Sequence, residues 1–144
     1  MKIISSNLIE NIECRKVTEK EAIEITRSQN EKIHFIKQNK GCGLAAPQFG
    51  DFRKYFFIGE EVFFNPSYTE KKKGKIKSVE GCLSYPNKNF TIKRNKFIIA
   101  KFDVLVDGKF IRMDRYLKGL QAVVFQHECD HCGNDGLSKT IAMK

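Results

Sequence analysis

The stretch Gln126-His127-Glu128-Cys129-Asp130-His131 places two of the chain's three histidines four residues apart, with a glutamate beside the first. On a helix such residues stand on one face, a turn apart, so His127 and His131 can point at one ion. Glu128 is rotated by about 100° from His127. It lies beside the ligand pair rather than over it, where a general base would sit next to a water activated by a metal. A structural metal site would also use two histidines, so both a catalytic and a structural reading stand at this point.

Two histidines do not complete a catalytic site. The 13 residues after His131 hold neither histidine nor glutamate, and Asp135 is too close to serve comfortably. The remaining histidine, His34, falls in a polar N-terminal stretch and reads as a surface residue. The third ligand is therefore sought upstream, in Ser78-Val79-Glu80-Gly81-Cys82-Leu83-Ser84. Gly81 lets the backbone approach whatever binds there, and the absence of helical patterning presents the Cys82 thiol from a strand or turn. Cys82, His127 and His131 give three protein ligands and leave a fourth position open, the layout of a catalytic zinc or iron site. Cys14 and Cys42 read as small buried hydrophobes. The Cys129/Cys132 pair also reads as packing, since no second CxxC completes a four-cysteine site.

The rest of the chain supplies a scaffold. Its 144 residues suit one domain, 1–144, with a core of ordinary size. Thr18 and Glu21 form a capping-box pattern, so the spacing predicts a helix from Thr18 to about Lys40, with Ala22, Ile25, Ile33 and Ile36 as its apolar stripe. Segments 54–59 and 61–66 read as strands, and 97–114 as a hairpin turning at Asp107-Gly108. A last long element is expected from about Arg115 to His131. The fold class is α+β, with largely antiparallel strands packed around a central metal-binding helix. Five cysteines, an odd number, argue against a disulfide framework. No apolar run approaches the ~20 residues that span a bilayer, and the N-terminus lacks a signal-peptide pattern, so no membrane partner and a cytoplasmic location are expected. The net charge is +9. The run at 70–77 reads as a solvated hairpin or loop, or else as attraction to an acidic surface such as ribosomal RNA. No motif for sequence-specific nucleic-acid reading is present, and aromatic residues are not interleaved with the basic ones along the sequence.

Three motifs in order resemble the peptide deformylase family: Gly41-Cys42-Gly43-Leu44-Ala45-Ala46-Pro47-Gln48, Glu80-Gly81-Cys82-Leu83-Ser84 and Gln126–His131. Phe63-Phe64-Asn65-Pro66 and Arg94 also fit. The chain departs from the pattern in its N-terminal segment, at Asn89 and at Asn134, and it lacks a long C-terminal extension.

The resemblance implies one divalent ion on Cys82, His127 and His131. Ferrous iron is expected in the cell, with zinc, nickel or cobalt possible after purification. It implies that Glu128 moves protons, while the Gln48 side chain and the Leu83 N–H stabilise the oxygen of the attacked formyl group. An N-formylmethionyl nascent peptide would lie along Cys42 and Gly43, near Gly81, with its methionine against Leu120, Val123 and Val124, which share a helix face with His127. Arg94 and Asp130 would steady the histidine helix. Two rivals are a related metal-dependent amide hydrolase with another acyl substrate and a non-catalytic, zinc-stabilised module that binds the ribosome or RNA. A structural site would need neither Glu128 nor Gln48.

Overall fold

The computed structural model describes residues 14–82 and 85–133, with backbone alone at Cys82, 85–88 and 90. Two short helices come first, α1 (Glu19–Arg27) and α2 (Gln29–Gln38). They replace the single helix expected over this stretch. The capping box is present, with Thr18 Oγ1 accepting from Glu21 N–H and the Glu21 carboxylate accepting from Thr18 N–H. The break comes at Ser28. Thr26 Oγ1 donates to Ala22 O at 2.8 Å and Ser28 Oγ to Ile25 O at 3.3 Å. Such hydroxyls compete with the backbone for its own carbonyls and bend or end helices.

Strand β1 (Gly43–Ala45) leads into a 3-10 turn (Ala46–Phe49), then β2 (Tyr55–Ile58) and β3 (Glu61–Glu70). Next come β4 (Lys75–Cys82), β5 (Tyr85–Asn95), β6 (Phe97–Val106) and β7 (Lys109–Lys118). Helix α3 (Leu120–Cys132) closes the described chain. Five strands form one antiparallel sheet in the order β1-β2-β3-β6-β7, and β4-β5 forms a separate two-stranded ribbon. The β6–β7 turn is Asp107-Gly108, with φ of 51° and 78°. Positive φ at both central residues suits the tight hairpin turn.

Strand β7 extends through Lys118, so Arg115–Lys118 are not helical as expected. Ala100 pairs with Arg115 and Phe97 with Lys118. Arg115 and Leu117 are half-buried while Tyr116 and Lys118 are exposed, the two-residue period of a strand. Gly119, at φ 61°, turns the chain into α3.

The large sheet carries a core on each face. Tyr55, Phe57 and Phe64 pack with Ala22, Ile25, Ile33 and Ile36 of α1 and α2. Phe56 and Phe63 point the other way, to Ile98, Phe102 and Phe125 of α3. Burial on both faces explains why Phe56-Phe57 and Phe63-Phe64 are apolar runs rather than alternating patterns. The Phe125 ring centroid lies 5.1 Å from that of Phe56 and 5.4 Å from that of Phe63. Burying one such ring is worth roughly 2–3 kcal/mol, and it fixes which side of α3 faces the sheet.

Candidate active site

Helix α3 is held against rotation at adjacent positions. Phe125 is fully buried in the aromatic cluster. Gln126, also buried, donates from Nε2 to Asn95 O at 2.8 Å and accepts from Asn95 N–H at 2.9 Å, which ties the helix to the end of β5. With that face fixed, His127 and His131 lie on another, edge to face, their ring centroids 5.2 Å apart. Both are buried. Burial, with the positive charges of His127 and Arg94 adding to it, drives the His131 pKa well below the usual range, so this imidazole stays neutral, as a metal ligand must be.

A buried ion network stands behind His127. Its Nδ1 is 2.7 Å from Glu80 Oε1. The same carboxylate receives Arg94 Nε at 2.9 Å and Arg94 Nη2 at 2.7 Å. The third arm of Arg94, Nη1, reaches Asp130 on α3. Arg94 thus joins the β4-β5 ribbon to the helix, and Glu80 fixes the histidine ring. Burial pushes the Glu80 carboxyl up, but Arg94 and His127 more than reverse this and hold it at about 2. A neutral His127 ring that donates from Nδ1 to this carboxylate presents the Nε2 lone pair. Sequence reasoning assigned no role to Glu80 or Gln126. A usable signal existed for Glu80: a metal-binding histidine ordinarily donates its second nitrogen to a carboxylate, and Glu80 stands beside the candidate ligand Cys82.

Glu128 is buried, and burial pushes its carboxyl up to about 7. Among the described residues its Oε1 has no hydrogen-bond partner. Its Oε2 lies against β1, where a Cβ built on Gly43 would come within 2.8 Å of it and within 2.7 Å of Phe57 O. Only glycine fits there. Gln48, buried in the 3-10 turn, accepts from Ala45 N–H through Oε1 at 3.0 Å, which orients its amide. Among the described residues strand β1 pairs with β2 alone and is an edge of the sheet, a place where an extended peptide can add as a further strand.

The other expected contact residues are placed as follows. Val123 is buried, Val124 half-buried and Leu120 exposed at 74%, so this helix face runs from the interior to the surface. Cys42 and Gly81 are exposed, so Cys42 is not the buried hydrophobe that the thiol alone suggested. His34 is exposed. Burial pushes the Cys129 and Cys132 thiols up, as packed thiols rather than a redox pair. The backbone of Cys82 ends β4, while Leu83 and Asn134 lie outside the described residues.

Two adjacent imidazoles, one held by a carboxylate, beside a buried carboxyl oxygen that has no partner among the described residues, suit a divalent cation.

The model of the family described as polypeptide deformylase matches residues 9–137. Peptide deformylase 1 of Clostridium perfringens is 38% identical over 106 residues, covering 69% of each chain. Among solved structures, peptide deformylase of Thermotoga maritima superposes with a TM-score of 0.81 at 26% identity, covering 98% of this chain and 95% of the other. A probable peptide deformylase of Synechococcus phage S-SSM7 gives 0.77 at 30% identity, covering 97% and 99%. The chain spans 60–69% of the length of several curated relatives it matches. By the extent of these matches, on top of the fold and the three motifs, the chain belongs to the polypeptide deformylase family.

Proposed function

We propose that the chain is a metal-dependent hydrolase that removes the formyl group from N-formylmethionyl peptides, releasing formate and a free amino terminus. The observation that carries this reading is Glu128: a buried carboxyl, one oxygen without a partner among the described residues, pressed against an edge strand beside two histidines. A purely structural metal site has no use for it.

Cys82, His127 and His131 would hold one divalent ion, which when bound supplies Lewis acidity toward water and the formyl oxygen. The peptide adds along β1 at Cys42 and Gly43, with Gly81 nearby and the methionine side chain against Leu120, Val123 and Val124. Glu128 takes a proton from the attacking water, whose oxygen bonds to the formyl carbon. Gln48 and the Leu83 N–H donate to the formyl oxygen as negative charge builds there. The C–N bond breaks and Glu128 returns its proton to the leaving nitrogen. A carboxyl pushed toward neutral pH by burial suits both transfers. Arg94 and Asp130 position the helix, and Glu80 positions His127.

The family is metal-dependent. We take ferrous iron as the working ion, with zinc, nickel and cobalt accepted by the same donors. No helix among the described residues is long and apolar enough to cross a membrane. A single catalytic domain, a cytoplasmic location and association with ribosomes through the basic surface complete the reading.

The test is formate release from formyl-Met-Ala by metal-loaded protein, with acetyl-Met-Ala as comparison. Release from the formyl substrate alone is expected. Equal cleavage of both favours the amide hydrolase with a different acyl preference. No cleavage by folded, metal-loaded protein overturns the reading.

A further inference from the structure

Positive charge is concentrated in one part of this chain. Between Glu70 and Phe97 the sequence has eight lysines and one arginine against two glutamates, which accounts for seven of its nine excess positive charges. Arg94 and Glu80 pair inside the protein, so the exposed charge belongs to lysines.

The fold gathers them. Lys71 N–H donates to Phe97 O at 3.0 Å and Lys96 N–H to Gly74 O at 2.9 Å, which lays the β3–β4 connection against the start of β6. In the ribbon, exposed Lys77 stands directly opposite exposed Lys93. Like charges facing each other across an antiparallel pair destabilise it, so fold stability gives no reason for this pairing. Glu70 lies 3.4 Å from Lys75. Among the described residues, Lys71, Lys72, Lys77, Lys93 and Lys96 make no ion pair.

Two aromatic rings join this surface. Phe97 and Tyr116, from adjacent strands, stack with their planes 14° apart. Lys72 Nζ lies 4.2 Å and Lys96 Nζ 5.5 Å from the Phe97 centroid. Tyr116 is 47% exposed.

We propose that this face binds RNA without sequence preference, with phosphates on the lysines and a base stacked on Tyr116. Clustered cations follow a phosphate backbone, and an exposed ring offers a stacking platform that tolerates any base. The inference gives the proposed ribosome association a surface, and it does not depend on the hydrolytic reading. An anionic membrane would use the lysines but gain nothing from a base-stacking ring.

The experiment is fluorescence anisotropy of a labelled uridine 20-mer with the whole chain across a salt series. Lys77→Gln/Lys93→Gln/Lys96→Gln should reduce the slope of log affinity against log salt by about 2, and Lys93→Gln alone by about 0.7. Tyr116→Ala should weaken binding roughly tenfold at every salt concentration without changing the slope. Melting followed by circular dichroism shows that each variant is folded. Removing exposed Lys16, Lys20 and Lys109 instead should change the slope much less. An equal change from that control, or a silent Tyr116→Ala with equally tight binding to phosphatidylglycerol vesicles, overturns the proposal.

Discussion

Glu80→Gln separates an orienting role for the buried carboxylate from a merely packed one. At neutral pH the carboxylate accepts from Arg94 at 2.9 and 2.7 Å and stands 2.7 Å from His127 Nδ1. An amide keeps one accepting oxygen and turns an N–H toward donors that cannot receive it. Arg94 retains Asp130, so its charge is not wholly stranded. Holding a carboxyl at about 2 against an ordinary 4.5 corresponds to roughly 3 kcal/mol in favour of the ionised form. Breaking a buried pair by removing one partner costs about 3–5 kcal/mol. Both routes give a loss near 3 kcal/mol for the amide, read by urea unfolding of metal-free protein. A second measurement isolates orientation: chelator competition should show metal affinity weakened on the order of 10–100-fold. A stability loss with unchanged metal affinity would refute the orienting role. A stability change below about 1 kcal/mol would refute the energetic argument.

Glu128→Gln should keep one bound metal per chain and lose turnover by on the order of 10²–10⁴-fold; loss of the metal along with activity would make Glu128 a ligand instead. Gly43→Ala puts a methyl 2.7 Å from Phe57 O and 2.8 Å from Glu128 Oε2. It should cost about 1–3 kcal/mol of stability and reduce deformylation beyond what unfolding explains, so wild-type kinetics in this variant would count against the close approach. Burial pushes the Asp51 carboxyl up, but Arg53 and Tyr55 prevail and lower it. Its stabilising contribution is therefore full above its ordinary pKa and fades as pH falls through the lowered one. Asp51→Asn should be less stable at neutral pH and lose less on acidification from about pH 5 to about pH 3; parallel curves for the two proteins would exclude this.

What the sequence made legible follows from which interactions are local. The capping box at Thr18 and Glu21, the turn at Asp107-Gly108 and the i, i+4 histidines depend on residues close in the chain, and all appear in the structure. The helix break at Ser28 was also local, but it hid beneath an apolar stripe that continues in phase through Ile33 and Ile36. Arg115–Lys118 mislead for the opposite reason. Their strand state comes from pairing with Phe97–Ala100, a non-local partner. The histidine pair was readable because residues four apart on a helix share a face. Glu80 and Gln126 were not assigned, because their partners Arg94 and Asn95 on β5 are distant in the sequence and no spacing rule joins them.

The position of the histidines along α3 is set by residues that take no part in the chemistry. Phe125 fills the gap between Phe56 and Phe63, and Gln126 grips both backbone groups of Asn95. A rotation of α3 by one residue, about 100°, would take Phe125 out of the ring cluster, break the Asn95 bonds and carry His127 away from Glu80. The helix therefore has one orientation compatible with the core, and that orientation brings Glu128 against Gly43. Burial there raises the carboxyl toward neutrality, while on the β4-β5 ribbon the Arg94 pair holds Glu80 ionised. Two glutamates at one site are driven apart in pKa by packing and pairing. The ionised one can orient an imidazole, and the one near neutrality can accept and return a proton.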